Sequence, residues 1–358
     1  MRYRVAFPAG FKPLVERLIA RDHPGGGKVD RDTGDDASVV FDAQAFIKKP
    51  AYVQGLSIVL GENKASTMEE AYRSIAGGLG QARGGDALRV AIVHPAYSRH
   101  APRAGRPGSF VVRSFDQGKP SPAPRDARLA LERQMQRLTG LVPDSERPDA
   151  ELQLQLRSDG RAYLLLVSLD QAPGERSKGA LPASTARLLC ELSEPSAEDV
   201  FLDPFMGSGA IPLERARMGP YGMIFAGDLD EGLVGDFKEK LKQQEWNRKR
   251  RSIFPKTLDA RDLSRFEASL FTRIVTDPPW GVYGDLGKDD ILDLYRDFLG
   301  QAERVLGDQG KLVLLTGRDT PLEDAADTDR RWEKQIEYPV LISGRKARVL
   351  RLAKKISG

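Results

Sequence analysis

One stretch constrains this chain more than any other: Val200-Phe201-Leu202-Asp203-Pro204-Phe205-Met206-Gly207-Ser208-Gly209-Ala210-Ile211-Pro212. Read in order, a strand ends in an acid, a glycine turn follows, and a helix opens with Pro212 in its first turn, where a missing N–H costs little. Glycines at such a turn let backbone approach a ligand closely. Two familiar ligand classes do not fit. Pro212 occupies the third glycine position of a dinucleotide fingerprint, and Asp203 puts negative charge where a pyrophosphate would sit. A P-loop fails too, because no lysine follows the second glycine. A ligand with a cationic amino group and a sulfonium suits the acid, and a ligand-free strand-to-helix turn is the plain alternative.

From residue 201 onward, short β-rich runs alternate with amphipathic helical stretches, the pattern of a parallel sheet covered by helices. Strands are predicted at 199–202, 223–226, 273–275 and 311–315, and helices at 211–218, 231–244 and 291–306. The last of these carries Ile291, Leu292, Leu294, Tyr295, Phe298 and Leu299 on one face. The end differs, because runs at 340–342 and 348–352 flank Ser343-Gly344-Arg345-Lys346 and read as a hairpin. A parallel sheet closed by an antiparallel hairpin is an α/β, Rossmann-like outline. Upstream the texture is α+β. A strand at 3–7 and a helix at 11–20 precede a Gly- and Asp-rich loop at 23–36. Further strands are predicted at 88–93, 109–115, 151–156 and 162–169, with a helix at 126–141. Residues 172–178, with Pro173 and Gly174, read as the linker. These textures divide the chain into 1–60, 61–172 and 173–358, two or three domains being the expectation for 358 residues.

Composition narrows the chemistry. Cys190 is the only cysteine and the three histidines, His23, His94 and His100, all lie upstream of the glycine turn. An intramolecular disulfide is excluded, a thiolate zinc site is not expected, and neither a metal nor a histidine-centred site is expected in the C-terminal half. With no apolar stretch long enough to span a bilayer and no signal-like N-terminus, a cytoplasmic protein without a membrane partner is expected, as a monomer. The net charge of +4 is compatible with a polyanionic partner.

Two further acids end predicted strands. Asp228, in Ala226-Gly227-Asp228-Leu229-Asp230, lies about 20 residues past the glycine turn, where α/β nucleotide folds hold ribose hydroxyls, while Asp230 suits the N-cap of the helix at Glu231. Asp259, followed by Ala260, suits a third strand end and could accept from an adenine amino group. The fourth strand ends in Ile274-Val275-Thr276-Asp277-Pro278-Pro279-Trp280-Gly281. An exocyclic base amine is a poor nucleophile because its lone pair is delocalised into the ring, so it needs acceptors for both N–H groups. The Asp277 carboxylate and the Pro278 carbonyl can supply them, Pro278 and Pro279 stiffen the loop, and Trp280 offers a face for a base, worth roughly 1–3 kcal/mol. No strongly shifted general base is needed, because the proton leaves after charge has developed on nitrogen.

Asp203–Gly209 together with Asp277–Gly281 resembles the catalytic domain of THUMP-domain RNA methyltransferases, which include enzymes that methylate the 2-amino group of guanosine in tRNA. The likeness covers about residues 178–355. It includes the Lys178-Gly179-Ala180-Leu181-Pro182 lead-in and the hairpin from Tyr338 to Leu352. Family members often have Cys at Met206 and Tyr at Trp280, and the second departure leaves the choice of base open. The resemblance implies a class I methyltransferase domain preceded by a ferredoxin-like and THUMP region. It implies S-adenosylmethionine as cofactor, held by Asp203, Phe205, Met206, Gly207, Ser208, Gly209, Asp228, Asp259 and Ala260. Catalysis falls to Asp277, Pro278, Pro279 and Trp280. It also implies RNA, above all tRNA, as partner. Segments at 108–113 and 147–152 look like a THUMP domain, which in the family holds the 3′ end and acceptor stem of tRNA. Arg99, Arg103, Arg106 and Arg113, in and beside a Gly/Pro-rich loop, would then meet phosphates. The run at 248–251 could grip RNA or cap its helix. Two rivals stay open. One is a DNA or ribosomal RNA amino methyltransferase, although in many DNA enzymes the two motifs stand in the opposite order. The other is a non-catalytic RNA-binding protein on the same scaffold.

Overall fold

The computed structural model describes residues 1–24, 29–30, 36–79, 94–99, 108–169, 180–243, 252–281, 288–318 and 320–355. The strand expected at 88–93, the linker at 172–178, the basic run at 248–251, His100, Arg103 and Arg106 lie outside those residues. The chain forms two compact units, one of Met1–Phe7 with Val15–Gly174 and one of Pro8–Leu14 with Glu175–Gly358. Among the described residues no helix is long and apolar enough to cross a membrane.

The first unit is α+β, as its texture predicts. Its strands are β1 (Arg2–Ala6), β2 (Val29–Asp30), β3 (Ser38–Asp42), β4 (Gly55–Lys64), β5 (Ser109–Asp116), β6 (Lys119–Pro120), β7 (Val142–Pro143), β8 (Ala150–Leu156) and β9 (Arg161–Val167). They form one sheet in the order β2-β3-β1-β4-β9-β8-β5-β6, with β7 beside β5. The boundary expected at residue 60 falls inside β4, which pairs with β1 on one side and β9 on the other. Alternation in Ala-Glu-Leu-Gln-Leu-Gln-Leu of β8 buries Ala150, Leu152, Leu154 and Leu156 and turns Glu151, Gln153 and Gln155 outward. The helices α1 (Lys12–Asp22), α2 (Met68–Gly78) and α3 (Arg125–Thr139) accompany these strands along the chain. Leu131 and Met135 of α3 are fully buried, and Tyr72 of α2 shares a buried 2.7 Å hydrogen bond with Ser114 of β5.

In the second unit the chain runs α4 (Ala183–Leu192), β10 (Val200–Asp203), α5 (Ala210–Arg217), β11 (Met223–Asp228), α6 (Glu231–Gln243), β12 (Ile253–Thr257), β13 (Phe271–Thr276), α7 (Lys288–Val305), β14 (Leu306–Gly317), α8 (Pro321–Thr328), β15 (Trp332–Ile342) and β16 (Arg345–Lys354). The sheet order is β12-β11-β10-β13-β14-β16-β15. Pairings from β12 to β14 are parallel, whereas β16 runs antiparallel to both its neighbours. This is the Rossmann-like sheet order that the resemblance implies. The hairpin closes on Ser343 and Gly344 at φ of 49° and 82°, the left-handed pair that a two-residue turn of matching twist requires. On α7, Ile291, Tyr295, Phe298, Leu299, Ala302 and Val305 are buried at helical spacing against Leu312 and Leu314 of β14.

The order in which the strands are laid down reverses at β10, whose neighbours are β11 and β13. Chains leaving the carboxyl ends of strands at such a point diverge and open a crevice between them. Below it, β10 is anchored by a buried ion pair. Arg215 of α5 donates to Asp199 from Nε at 3.1 Å and Nη2 at 2.9 Å, and also reaches the Ser196 and Pro220 carbonyls. Both side chains are 1% exposed. A buried ion pair is tolerable only when its remaining lone pairs and protons are satisfied, and Ser196 and Thr272 complete the bonding of Asp199.

Candidate active site

Asp203, Asp228 and Asp277 stand at or just beyond the carboxyl ends of β10, β11 and β13, three adjacent strands. Their loops are joined by named hydrogen bonds. Thr276 donates from Oγ1 to Asp203 Oδ1 at 2.6 Å, so the residue before Asp277 holds the acid that opens the glycine turn. Gly207 N–H donates to Asp228 Oδ2 at 2.9 Å, and Met206 N–H to the Gly227 carbonyl at 2.8 Å, tying the turn to β11.

Asp203 is fully buried, accepts from Thr276 and from Phe205 N–H through Oδ1, and has an Oδ2 without a hydrogen-bond partner. Burial pushes its carboxyl up to about 8. The bonds from Thr276 and Phe205 oppose the rise, and the charges of Asp277 and Asp228 add to it. A buried carboxylate oxygen left unpaired is costly, and a cationic amino group is the ligand chemistry that removes the cost. This orphan oxygen is the observation against which S-adenosylmethionine can be tested, and the residues fit it.

The two glycines of the turn do different things. Gly209, at φ 81°, caps α5 in the left-handed region, and a Cβ on it would lie 2.2 Å from the Phe237 ring. It is a glycine because α6 packs there. Gly207, at φ 51°, has open space around its Cβ position, so of the two glycines it is the one that leaves room beside the backbone. Met206 is also reassigned in its side chain: 4% exposed, it packs with Leu213, Ala226, Val234 and Phe237, and only its backbone belongs to the turn. Phe205 is half-buried and stands edge-on to Phe298 at 5.2 Å. The Ser208 carbonyl accepts from Lys240 Nζ at 3.4 Å.

Asp228 is half-buried. Besides Gly207 N–H, its Oδ1 accepts from Asp230 N–H at 3.0 Å, leaving about two of four lone-pair sites for hydroxyls. Asp230 caps α6 as its position predicts, accepting from Gly232 N–H at 2.7 Å and Leu233 N–H at 3.3 Å. Asp259 departs from the expectation of a waiting adenine acceptor. Arg261 forks its carboxylate from Nε and Nη2, at 2.7 Å for the shortest contact, adds its backbone N–H at 2.9 Å, and holds the carboxyl below the usual range. A purine amino group would have to displace a guanidinium. Ala260 is 3% exposed, with its methyl in the core.

Beyond β13 the loop carries Asp277 half-buried, Pro278 buried, Pro279 exposed and Trp280 half-buried. Trp280 donates from Nε1 to Asp277 Oδ1 at 2.8 Å. Burial pushes the Asp277 carboxyl up to about 7, against the pull of that indole bond. Two side chains that sequence reasoning assigned no site role complete the loop. Tyr295, read only as part of an apolar helix face, donates its hydroxyl to the Pro279 carbonyl. Thr276, read as the end of a strand, bonds Asp203. The available signal for both was a hydroxyl on an otherwise apolar face. In the first unit, Arg99 is exposed with its N–H on the Asp149 carbonyl, and Arg113 lies 3.5 Å from Glu151, while Arg103 and Arg106 lie outside the described residues.

Comparison with known proteins agrees with this geometry. Residues 175–348 match the family model described as RMKL-like, methyltransferase domain. A tRNA (guanine(6)-N2)-methyltransferase of Thermus thermophilus is 34% identical over 229 residues, 61% of this chain and 65% of that one. A tRNA (guanine(10)-N2)-dimethyltransferase of Methanothermobacter thermautotrophicus is 29% identical over 178 residues, 50% of each chain. The chain thus spans about half to two thirds of the length of these curated relatives. The crystal structure of TrmN from Thermus thermophilus superimposes with a TM-score of 0.71 at 24% identity, covering 99% of both chains, which establishes the fold.

Proposed function

We propose, from the match of residues 175–348 to the model described as RMKL-like, methyltransferase domain, that the chain is an S-adenosylmethionine-dependent RNA methyltransferase acting on an exocyclic base amine, the 2-amino group of a guanosine in tRNA. The relatives named above, each a tRNA guanine-N2 methyltransferase, support the substrate. We take the enzyme to act in the cytoplasm, as a monomer and without a metal ion, with a THUMP-like first unit that contacts RNA phosphates through Arg99, Arg103, Arg106 and Arg113.

The observation that supports the reading is the Thr276–Asp203 bond, which ties the segment carrying Asp277 to Asp203 on the neighbouring strand; in this reading Asp203 faces the cofactor and Asp277 the base. Asp203 Oδ2 would hold the cofactor's amino group, the Gly207 backbone its closest approach, and Asp228 its ribose hydroxyls. When bound, S-adenosylmethionine supplies a methyl group activated by its sulfonium. The chain's own residues prepare the acceptor. Asp277 and the Pro278 carbonyl accept the two N–H groups of the base amine, which localises the nitrogen lone pair, while the indole face of Trp280 supports the ring. One proton must leave the methylated nitrogen. Asp277, with its carboxyl near 7, can take it on Oδ2, so the shifted base that the sequence did not call for is at hand. A guanine paired in a stem must first leave its stack, at about a few kcal/mol.

A labelled-methyl assay on total tRNA, ribosomal RNA and duplex DNA tests the proposal. Label confined to tRNA, recovered as N2-methylguanosine, is expected, and label on DNA alone would refute it. Asp277→Ala should reduce turnover at least 100-fold while the protein still binds S-adenosylmethionine. Near-normal turnover would remove Asp277 from the mechanism.

A further inference from the structure

We infer that Trp280 is a positioning residue as well as a platform: its indole N–H holds the Asp277 carboxylate by one oxygen, so that Oδ2 is the oxygen presented to the substrate amine. The inference rests on the methyltransferase reading above, and its physical core is a set of contacts that does not depend on substrate.

The indole is seated from behind. A Cβ on Gly317, the last residue of β14, would lie 2.9 and 3.1 Å from Cε3 and Cδ2 of Trp280, so the ring lies against bare backbone. The seat is braced by Thr320, whose hydroxyl donates to the Gly317 carbonyl at 2.9 Å and pairs with Thr316 Oγ1 at 2.9 Å. The loop is pinned one residue earlier by the Tyr295 hydroxyl on the Pro279 carbonyl. With ring and loop both fixed, Nε1 meets Asp277 Oδ1 at 2.8 Å. Phenylalanine at 280 would keep a face and lose the donor, while tyrosine would carry its O–H at the far end of the ring. The indole therefore does a job the base platform alone does not require.

The electrostatics make that donor matter. Among the described residues, Asp203 at the end of β10 and Tyr295 on α7 are the titratable groups that interact with Asp277, and Asp228 at the end of β11 acts on Asp203. None is cationic. Among the described residues the indole N–H is thus the one group that favours the ionised carboxylate against its burial. A protonated Asp277 would present an O–H in place of an acceptor.

Two measurements on the full chain test this. With tryptophan labelled on the indole nitrogen, the three indole resonances from Trp246, Trp280 and Trp332 can be followed by pH titration, that of Trp280 being identified by its loss in Trp280→Phe. It should move with a midpoint near 7, and Asp277→Asn should abolish the movement. A Trp280 signal flat from pH 5 to 9 overturns the inference. In methyl transfer, Trp280→Phe should raise the acidic limb of the kcat profile by about 1–2 pH units, because a hydrogen bond to a charged group is worth about that much. Turnover at pH 7 should fall about 5- to 50-fold and recover towards wild type above pH 9. A loss equal at every pH would mean that Trp280 acts through its face alone. Should the wild-type protein methylate no RNA, the functional proposal fails, and the resonance titration still decides the indole contact.

Discussion

The turn at 203–209 contains two glycines that a sequence cannot tell apart, and the structure separates them by a single substitution to alanine. Gly209→Ala puts a methyl group 2.2 Å from two carbons of Phe237, a buried ring that cannot withdraw, in backbone at φ 81°. Left-handed strain for a non-glycine residue costs about 1–2 kcal/mol and overpacking about 1–3 kcal/mol. The destabilisation expected is therefore about 2–5 kcal/mol, a fall in melting midpoint of about 4–20 °C for a unit of this size. Gly207→Ala meets nothing within 4 Å and carries only the backbone strain, about 1–2 kcal/mol at φ 51°. If the open space is where the cofactor lies, its methyl group should weaken S-adenosylmethionine binding at least tenfold, the equivalent of about 1.4 kcal/mol. Calorimetric titration with S-adenosylmethionine, together with thermal melts of the same samples, reads both quantities. Gly207→Ala binding the cofactor as wild type does, or Gly209→Ala melting within a degree of wild type, would refute this division of labour between the two glycines.

Two further outcomes follow from buried charge. Arg215→Met leaves Asp199 1% exposed with its principal partner gone, so equilibrium denaturation should show a loss of about 3–5 kcal/mol, and a loss under 1 kcal/mol would mean the pair does not anchor β10. Asp203 has a folded-state carboxyl near 8 against about 4 in an unfolded chain, so between those values the folded protein retains a proton that the unfolded chain releases. Its contribution to stability is present below about pH 4 and is lost as pH rises through about 8. Asp203→Asn should flatten that part of the stability profile in urea titrations at pH 5, 7 and 9, and an unchanged slope would show that Asp203 is ionised in the free protein.

Much of the second unit was readable in advance because its determinants are local. Parallel strands ending in Asp203, Asp228 and the Asp277 loop, a helix with buried residues from Ile291 to Leu299, and a two-residue turn at Ser343-Gly344 each announce themselves in a few consecutive residues. The first unit was less readable. Strands β3 and β4 and helix α2 were not predicted, although they carry Val39, Val40, Leu56, Ile58, Ala71 and Ile75 into the core. Their runs are short, and their burial comes from neighbours distant in sequence, such as β9 beside β4.

What the chain fixed by itself was the order and spacing of acids and glycines at strand ends, hence the class of sheet and the kind of chemistry, because strand, turn and helix signals act over a few residues. Which atoms face which was decided only by packing. Phe237 claims Gly209, Arg261 claims Asp259, the core claims Met206, and the indole of Trp280 claims one oxygen of Asp277. Except for Arg261 and Trp280, which lie two and three residues from their partners, these are meetings between residues far apart in the chain. The Trp280 contact, near as it is in sequence, still depends on the seat that Gly317 of β14 offers the indole and on the bond from Tyr295 of α7 to its loop.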